Sequence, residues 1–252
     1  MTASPQHAQP GAKRFYRARM KSADLVRFDV AHGETDLAVF ACRDLSREAA
    51  GLVAALRGRI ESYGAGHEGF FEALEPLECA HDAPEIVRRM CTAATEWQVG
   101  PMAAVAGALA RGVGEGLLEM TGEVIVENGG DIFLVTSRPR RIAVYAGPES
   151  PFGDTLAIEV SPESGVTGVC SSSGTVGHSF SRGRADAVVA LAETAEAADA
   201  AATAICNRVL DAADVERIIE DERRRGLLMG LVIVCLLYTS DAADEEDSVD
   251  LG

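Results

Sequence analysis

The sequence is short of positive charge. Its 23 Lys and Arg face 39 Asp and Glu, so the formal net charge is −16 at pH 7. A charge of this sign repels phosphodiester backbones at long range, which argues against general nucleic-acid binding. We therefore expect no nucleic-acid partner.

Segments that would carry the chain into or across a membrane are also missing. The first dozen residues contain no apolar stretch of the ~7 to 15 residues that an export signal requires. The longest apolar run, residues 227–238, is shorter than the ~20 residues that span a bilayer, and it reads as a buried strand. We expect no membrane partner and a cytoplasmic protein.

No Cys-x-x-Cys pair occurs in the chain, so neither a zinc site nor a disulfide framework is indicated. The prediction is reduced, mostly structural thiols. The six cysteines are Cys42, Cys79, Cys91, Cys170, Cys206 and Cys235.

What is present is enough apolar material for a sizeable core. The 252 residues are 47% hydrophobic and 25% charged, which is typical of a globular chain with one large domain or two small ones. We expect a flexible leader over residues 1–13, where polar residues show no periodicity, a folded domain over residues 14–234, and an acidic tail over residues 235–252.

Hydrophobic periodicity predicts a mixture of strands and helices. A proline precedes the helix predicted at 102–120, and the amides exposed at that helix start could hold an anion. The Ala and Gly residues of the same helix favour, equally well, a helix packed tightly in the core. Strands are predicted at 15–20, 25–30, 35–41, 123–135 (a hairpin around Asn128-Gly129), 142–146, 156–160, 166–171, 185–192 and after 227. Helices are predicted at 45–63, 70–74, 83–97, 102–120, 195–210 and 214–224.

The Ala-rich helix at 195–210 carries the first candidate site. Glu196, Asp199, Thr203 and Asn207 follow at spacings that place them in one stripe. Asp199 and Thr203 on adjacent turns could share one Mg²⁺, which prefers such oxygen ligands. Alternatively, the stripe is only the solvent side of an amphipathic helix, an interpretation that the helix taken alone favours.

Two loops carry the other candidates. Asn128, Gly129, Gly130 and Asp131 form a turn whose backbone a ligand could approach closely, or an ordinary hairpin turn. A second segment is rich enough in hydroxyls and flexible amides to hold phosphate. It lacks the G-x-S-x-G sequence of a serine hydrolase, and Cys170 before it fits a structural strand cysteine better than a nucleophile. This segment comprises Ser171, Ser172, Ser173, Gly174, Thr175, Gly177 and His178.

Taken in order, these segments resemble the ApbE superfamily of FAD:protein FMN transferases. The supporting residues are VGPMAAVAGA (99–108), VIVENGGDIFL (124–134), GVCSSSGTVGHSFSRGRADAVV (168–189) and ADAAATAICNRV (198–209), and weaker similarity covers about residues 14–234. More closely, the chain resembles a widespread, uncharacterised family of bacterial and archaeal ApbE-related proteins.

The resemblance implies an α+β fold, ApbE-like and T-fold-like, in which mixed and antiparallel sheets packed with helices enclose a cleft. It implies Mg²⁺ and a flavin nucleotide, FAD or FMN, as cofactors, and a small-molecule nucleotide as partner. Asp199 and Thr203 would bind the metal. The nucleotide would contact Asn128, Gly129, Gly130, Asp131, Ser172, Ser173, Gly174 and His178. The transferases cleave the FAD pyrophosphate, transfer FMN to a threonine and release AMP.

Two departures from the transferases weaken the transfer of activity. Their lysine-glycine-tyrosine segment, which ends in Val-Asp, is replaced here by MAAVAGALARG, and the loop after the serine segment is shorter, without a second histidine. A non-catalytic ligand-binding or interaction module, or an enzyme acting on another metabolite, therefore stays open as an alternative. The catalytic residues and the oligomeric state are not indicated.

The end of the sequence departs from the family as well. CLLYTSDAADE resembles translated sequencing-adapter read-through, and the last 18 residues add six acids and no bases, so we exclude this tail from the functional assignment. In the family, GLVIV continues into a turn and a final strand. Without that strand its neighbour would be unpaired, and we expect lower stability and aggregation near residues 227–237.

Overall fold

The protein is described here from a computed structural model. The description covers residues 17, 20, 22–147, 150, 156–175 and 183–235. The leader, most of the strand expected at 15–20, His178 and the tail beyond residue 235 lie outside the described residues.

A seven-stranded antiparallel sheet in the order β1-β2-β3-β4-β7-β8-β9 forms the centre of the α+β fold, and β5 and β6 form a separate two-stranded sheet. The strands are β1 (Val26–His32), β2 (Thr35–Ala41), β3 (Val124–Asn128), β4 (Asp131–Val135), β5 (Arg140–Ala143), β6 (Ala157–Val160), β7 (Gly168–Ser172), β8 (Ala187–Ala192) and β9 (Gly230–Val234). The helices are α1 (Ser46–Ala65), α2 (Glu85–Trp97), α3 (Val105–Leu118), α4 (Ala195–Arg208) and α5 (Asp214–Arg225).

Side-chain alternation along the strands separates the two faces of the large sheet. Phe133 packs toward the helices with residues of α1, α3 and α4, whereas its neighbours Ile132 and Leu134 pack with Val160 of the small sheet. Helices α3 and α4 lie on the strands, and α2 packs on α4 and α3. The large sheet is therefore covered by helices on one face and by β5 and β6 on the other.

Most predicted elements are present, with ends that differ by a few residues. The segment at 70–74 is an exception, because it forms turns rather than the predicted helix. Gly69 has a positive φ of 79° immediately before it, and Phe70 donates its N–H to the carbonyl of His67, three residues back. Gly69 lies outside the helical region, so α1 does not continue into this segment, whose single hydrogen-bonded turn joins the Ala73 N–H to the Gly69 carbonyl.

The prediction that all thiols are reduced is wrong for one pair. Cys79 and Cys91 form a disulfide between the segment before α2 and the buried face of that helix. The disulfide is not predictable from the sequence, because the two cysteines are 12 residues apart and become neighbours only when the segment folds back on the helix. Cys42, Cys170, Cys206 and Cys235 form no disulfide within the described part of the chain.

None of the helices in the described part of the chain combines the length and the apolar character that a membrane crossing requires.

Candidate functional site

The Gly129-Gly130 turn closes the β3–β4 hairpin with a two-residue loop. Asn128 pairs with Asp131 across it, and both glycines have positive φ, 73° and 107°. Positive φ at both central positions is the requirement of a type I′ turn, which glycine meets without strain. The predicted hairpin is thus confirmed, with Gly129 and Gly130 rather than Asn128 and Gly129 as its central residues.

This turn is held from two sides. The Gly130 N–H donates to Oε1 of Glu127 at 2.9 Å, and the Gly130 carbonyl accepts from the Ser171 hydroxyl at 3.2 Å. The Ser171 N–H donates to Oδ1 of Asp131 at 3.1 Å. The glycine turn and the serine strand predicted from the sequence therefore meet.

Strand β7 presents alternate residues to α4. The Cys170 thiol donates to the carbonyl of Ala195 at 3.2 Å, which places Cys170 on the helix side, and alternation places Ser172 there as well. Ser172 is buried, and its hydroxyl has no hydrogen-bond partner within the described residues. A buried hydroxyl without a partner is a position where a ligand would gain a hydrogen bond.

The rest of the serine segment is more open. Ser173 accepts the Thr175 N–H at 3.1 Å, and the Gly174 N–H donates to the carbonyl of Ala185 at 2.9 Å. Glycine is required at this place because a Cβ on Gly174 would lie 1.9 Å from the carbonyl oxygen of Gly183. The segment thus lies close to Gly183 and Ala185.

The polar stripe on α4 is not its solvent side, so that interpretation is wrong. Glu196 and Asp199 are only 5% and 8% exposed, and Thr203, one turn after Asp199, is half-buried. The reason is the neighbouring helix α3, whose glycine at 107 has no side chain to keep α4 away. A Cβ on Gly107 would lie 2.3 Å from the carbonyl oxygen of Ala195.

The first turn of α3 binds a carboxyl group of the protein itself. Oδ2 of Asp199 accepts the Gly107 N–H at 2.9 Å, and the Ala106 carbonyl accepts from Nδ2 of Asn128 at 3.2 Å. The tight packing expected for this helix start is therefore confirmed, and the binding of an anion there stays a prediction. Asn128 and Asp199 are joined through the two residues Ala106 and Gly107.

Three titratable groups face one another here. Burial, and then the negative charge of Asp131, raise the pKa of Asp199 well above the ordinary aspartate value, while the amides of Gly107 and Ala106 oppose this shift. Burial also raises the pKa of the Cys170 thiol well above its usual value, with contributions from Asp131 and Asp199. The site favours a proton or a cation between its carboxylates.

A divalent cation would need a mixed set of oxygen ligands here. No group of three or more His, Cys, Asp and Glu side chains that could hold a metal occurs in the described ranges. Asp199 and Thr203 are oxygen donors one turn apart on α4, and the ligand set of Mg²⁺ is ordinarily completed by backbone carbonyls, water and substrate phosphates. Asp199 and Thr203 therefore fit a Mg²⁺ site in which the protein supplies only some of the ligands.

Glu127 and Gly107 are site residues that sequence reasoning missed. Glu127 stands in the quoted VIVENGGDIFL segment, but only the folded hairpin shows that its carboxylate turns back to Gly130. The small residues around Gly107 indicate close packing, but they do not show which element packs against them. That partner, α4, lies about 90 residues further along the chain.

The family model described as AbpE bacteria matches residues 17–225. Among similar curated proteins, the UPF0280 protein of Methanocella arvoryzae is 44% identical over 161 residues, which cover 64% of this chain and 65% of that protein. The UPF0280 protein of Methanopyrus kandleri is 42% identical over 175 residues, 69% of this chain and 70% of that protein. The chain therefore spans slightly less than two thirds of the length of the Methanocella relative.

Solved structures share the fold. The ApbE protein of Thermotoga maritima superposes with a TM-score of 0.55 at 14% identity, covering 83% of this chain and 94% of that chain. The apo form of the Pseudomonas stutzeri flavinyl transferase ApbE gives 0.55 at 16% identity, covering 85% and 97%. Together with the matched family model, this shows that the chain belongs to the family AbpE bacteria, whose fold is that of the ApbE flavin transferases.

Proposed function

We propose that this protein binds a flavin nucleotide, or a related pyrophosphate, together with Mg²⁺, and that FMN transfer or cleavage of the FAD pyrophosphate is the chemistry of the site. The metal would be held by Asp199 and Thr203. The nucleotide would contact the turn from Asn128 to Asp131 and the segment formed by Ser172, Ser173, Gly174 and His178. His178 lies outside the described residues, so its place in the site rests on the resemblance alone.

One observation carries this proposal: the buried hydroxyl of Ser172 has no hydrogen-bond partner within the described residues. On α4, the helix that packs against this strand, burial and then the charge of Asp131 raise the pKa of Asp199. Buried polar groups are normally satisfied, so a ligand with oxygen acceptors and an accompanying cation would complete both.

The residues of the chain have separate roles in this proposal. Asp199 is kept in place by the Gly107 N–H, so its carboxylate is oriented before any ligand arrives. The glycines at 129 and 130 let a phosphate approach the backbone closely. Mg²⁺, when bound, supplies positive charge that neutralises the leaving phosphate as negative charge develops on it.

The first experiment titrates the purified protein with FAD, with and without Mg²⁺, while chromatography follows AMP and FMN. We expect FAD binding that requires Mg²⁺, with release of AMP and FMN that also requires it. Failure to bind FAD under either condition would contradict the proposal. Binding without release would leave a flavin-nucleotide site and exclude cleavage of the FAD pyrophosphate by water.

A second experiment tests the metal ligands. Asp199→Ala removes the carboxylate, and Mg²⁺-dependent FAD binding should be lost. Glu220→Gln on the exposed side of α5 is the matched control and should bind as the wild type does. If Mg²⁺-dependent binding survives unchanged in Asp199→Ala, the assignment of Asp199 to the metal is wrong.

A non-catalytic ligand-binding module on the same fold is the second candidate. It is favoured by the start of α3, where the amides of Ala106 and Gly107 already bind the Asp199 carboxylate and where the lysine-containing segment of the transferases is replaced by MAAVAGALARG. The chromatography distinguishes such a module from an enzyme that cleaves the FAD pyrophosphate with water, because the module binds nucleotide without releasing AMP.

A further inference from the structure

Two buried charged side chains near the glycine turn belong to residues that are not among the proposed ligand contacts. Glu127, near the end of β3, is 1% exposed, and Arg17, from the segment before β1, is 7% exposed. Nothing in the proposed nucleotide or metal contacts uses either of them. Charged groups are seldom buried to this extent without a specific partner.

The two side chains form one connected network. Oε2 of Glu127 accepts from Nε of Arg17 at 2.6 Å, and the remaining nitrogens of Arg17 donate to the carboxylate and the carbonyl of Asp36 at 2.8 and 2.6 Å. Arg17 therefore connects the segment before β1 to β2 and β3. Its guanidinium fixes the orientation of the Glu127 carboxylate, because bonds through several nitrogens of a planar group leave little rotational freedom.

The other oxygen of Glu127 acts on the turn. Oε1 accepts the Gly130 N–H at 2.9 Å, while the Ser171 hydroxyl donates to the Gly130 carbonyl at 3.2 Å. Both polar groups of Gly130 are thus held by side chains from β3 and β7. Glycine can adopt the φ of 107° without strain but is not restricted to it, and these two hydrogen bonds select this conformation.

We propose that Glu127 is a positioning residue for the ligand-binding turn and that Arg17 orients it. The carboxylate fixes the peptide plane of Gly130, and so sets the surface that the turn presents to a phosphate-bearing ligand. This inference rests on the proposed nucleotide site. It adds that affinity for the nucleotide depends on a residue that does not touch it.

The test compares two double variants that lose the same charges. In R17M/E127L the acceptor for the Gly130 N–H is gone, whereas in R17M/E127Q the amide oxygen of Gln can still accept it. Removing both partners together avoids leaving one buried charge uncompensated. Arg208→Met combined with Glu222→Leu removes another ion pair, between α4 and α5, in which the carboxylate is buried and the guanidinium is partly exposed, and serves as the control for loss of stability alone.

Two quantities are measured for each variant: the Kd for FAD with Mg²⁺, and the ¹H–¹⁵N signal of Gly130 in protein labelled with ¹⁵N-glycine. We expect R17M/E127L to raise the Kd by about tenfold or more, the usual effect of removing a residue that orients a ligand-contacting group, and to shift the Gly130 signal. R17M/E127Q should lie closer to the wild type in both. The Arg208 and Glu222 control should change neither.

Equal losses of affinity in the Leu and Gln double variants, or no loss in either, would overturn the inference. If the wild type binds no FAD, the proposed function fails, and the Gly130 signal decides the inference by itself. A signal shifted by Leu and restored by Gln then keeps Glu127 as the residue that positions the turn. A signal that neither variant shifts removes that role.

Discussion

At the scale of the residue, Gly130 is a position where a single added methyl group should destabilise the protein. Its φ is 107°, and a Cβ there would lie 2.6 Å from the Ser171 hydroxyl oxygen. Gly130→Ala is therefore expected to lower the free energy of unfolding by about 1–3 kcal/mol, since an L-residue is strained at this φ. Urea denaturation measures the change.

Gly51→Ala provides the comparison for this prediction. Gly51 lies in α1, and a Cβ there would have no heavy atom within 4 Å. Because Ala replaces Gly favourably inside a helix, this variant should gain about 0.5–1 kcal/mol. Equal effects at the two positions would show that the turn conformation at Gly130 is not what requires glycine.

The sequence indicates the residue types of the candidate site better than their environment. Gly129, Asp131 and Ser172 are candidates because turns and ligand-binding loops need residues that are small or polar. Ser171 holds the turn and Ser172 faces α4 because successive side chains of a strand point to opposite sides. This division can be predicted only once the start of β7 is known. Whether a polar residue is buried depends on neighbours that are distant in sequence.

At the scale of the element, the contact of α3 with α4 depends on Gly107. A methyl group there would lie 2.3 Å from the carbonyl oxygen of Ala195 and 3.0 Å from Cβ of Asp199. A backbone carbonyl cannot change rotamer to avoid the methyl group as a flexible side chain can. Gly107→Ala should therefore force the helices apart and lower the free energy of unfolding by about 1–3 kcal/mol. It should also weaken Mg²⁺-dependent nucleotide binding, because Asp199 moves with α4.

Gly58→Ala is the matched helix variant for that prediction, because a Cβ at Gly58 in α1 has no heavy atom within 4 Å. It should be neutral or slightly stabilising in the same thermal and urea denaturation series. A Gly107→Ala protein as stable as Gly58→Ala would mean that the helices separate without cost, and that their close approach does not hold Asp199.

The small sheet is attached to the large one through a charged cluster that gives a pH dependence. Arg140 of β5 donates to Asp24 at 2.8 and 3.0 Å and to Glu123 at 2.8 Å. Hydrogen bonds from Arg140 and Ser22 hold the pKa of Asp24 well below its usual range, and bonds from Ser137 and then Arg140 lower the pKa of Glu123. A lowered folded-state pKa contributes stability above the unfolded-state pKa, and this contribution is lost as pH falls through the folded-state value.

Arg140→Met should therefore lower the free energy of unfolding modestly at pH 7, because ion pairs near the surface contribute little each. The difference from the wild type should shrink as pH falls below about 4, because the two carboxyls then protonate in the unfolded chain, while in the folded wild type they protonate only at lower pH. Arg141→Met, on the exposed side of the same strand, should show little effect at either pH. A difference that stays constant from pH 7 to pH 3 would contradict an electrostatic origin.

The order of elements followed from the sequence more readily than their contacts did. The β3–β4 hairpin was predictable because its turn chemistry is local, and α4 because its apolar residues repeat with the helical period. The disulfide between Cys79 and Cys91 and the turns at 70–74 were not, since each depends on how a segment without periodicity folds back on α2. The residues that meet in the site come from four separate parts of the chain, which no local pattern connects.

At the scale of the whole molecule, α4 is the element on which the other layers depend. It lies on β7 and β8 and is covered by α2 and α3, and Ala198, Ala200, Ala201 and Ala202 are fully buried. Helix α5, by contrast, buries only Ile218 and Glu222. Because α4 has no exposed face over its first three turns, its backbone can open only when the surrounding layers separate.

Native-state hydrogen exchange should therefore give a higher free energy of exchange for the amides of α4 than for those of α5. The amides of residues 200–202 should exchange only through global unfolding, so their free energy of exchange should equal the free energy of unfolding from urea denaturation. Amides of α5 should exchange through local opening at a lower free energy. Gly107→Ala should lower the exchange free energy at residues 200–202 by the amount that it lowers global stability, and leave the local opening of α5 unchanged. If residues 200–202 exchanged more readily than β8, α4 would open independently, and the carboxylate of Asp199 would not be held in advance for a ligand.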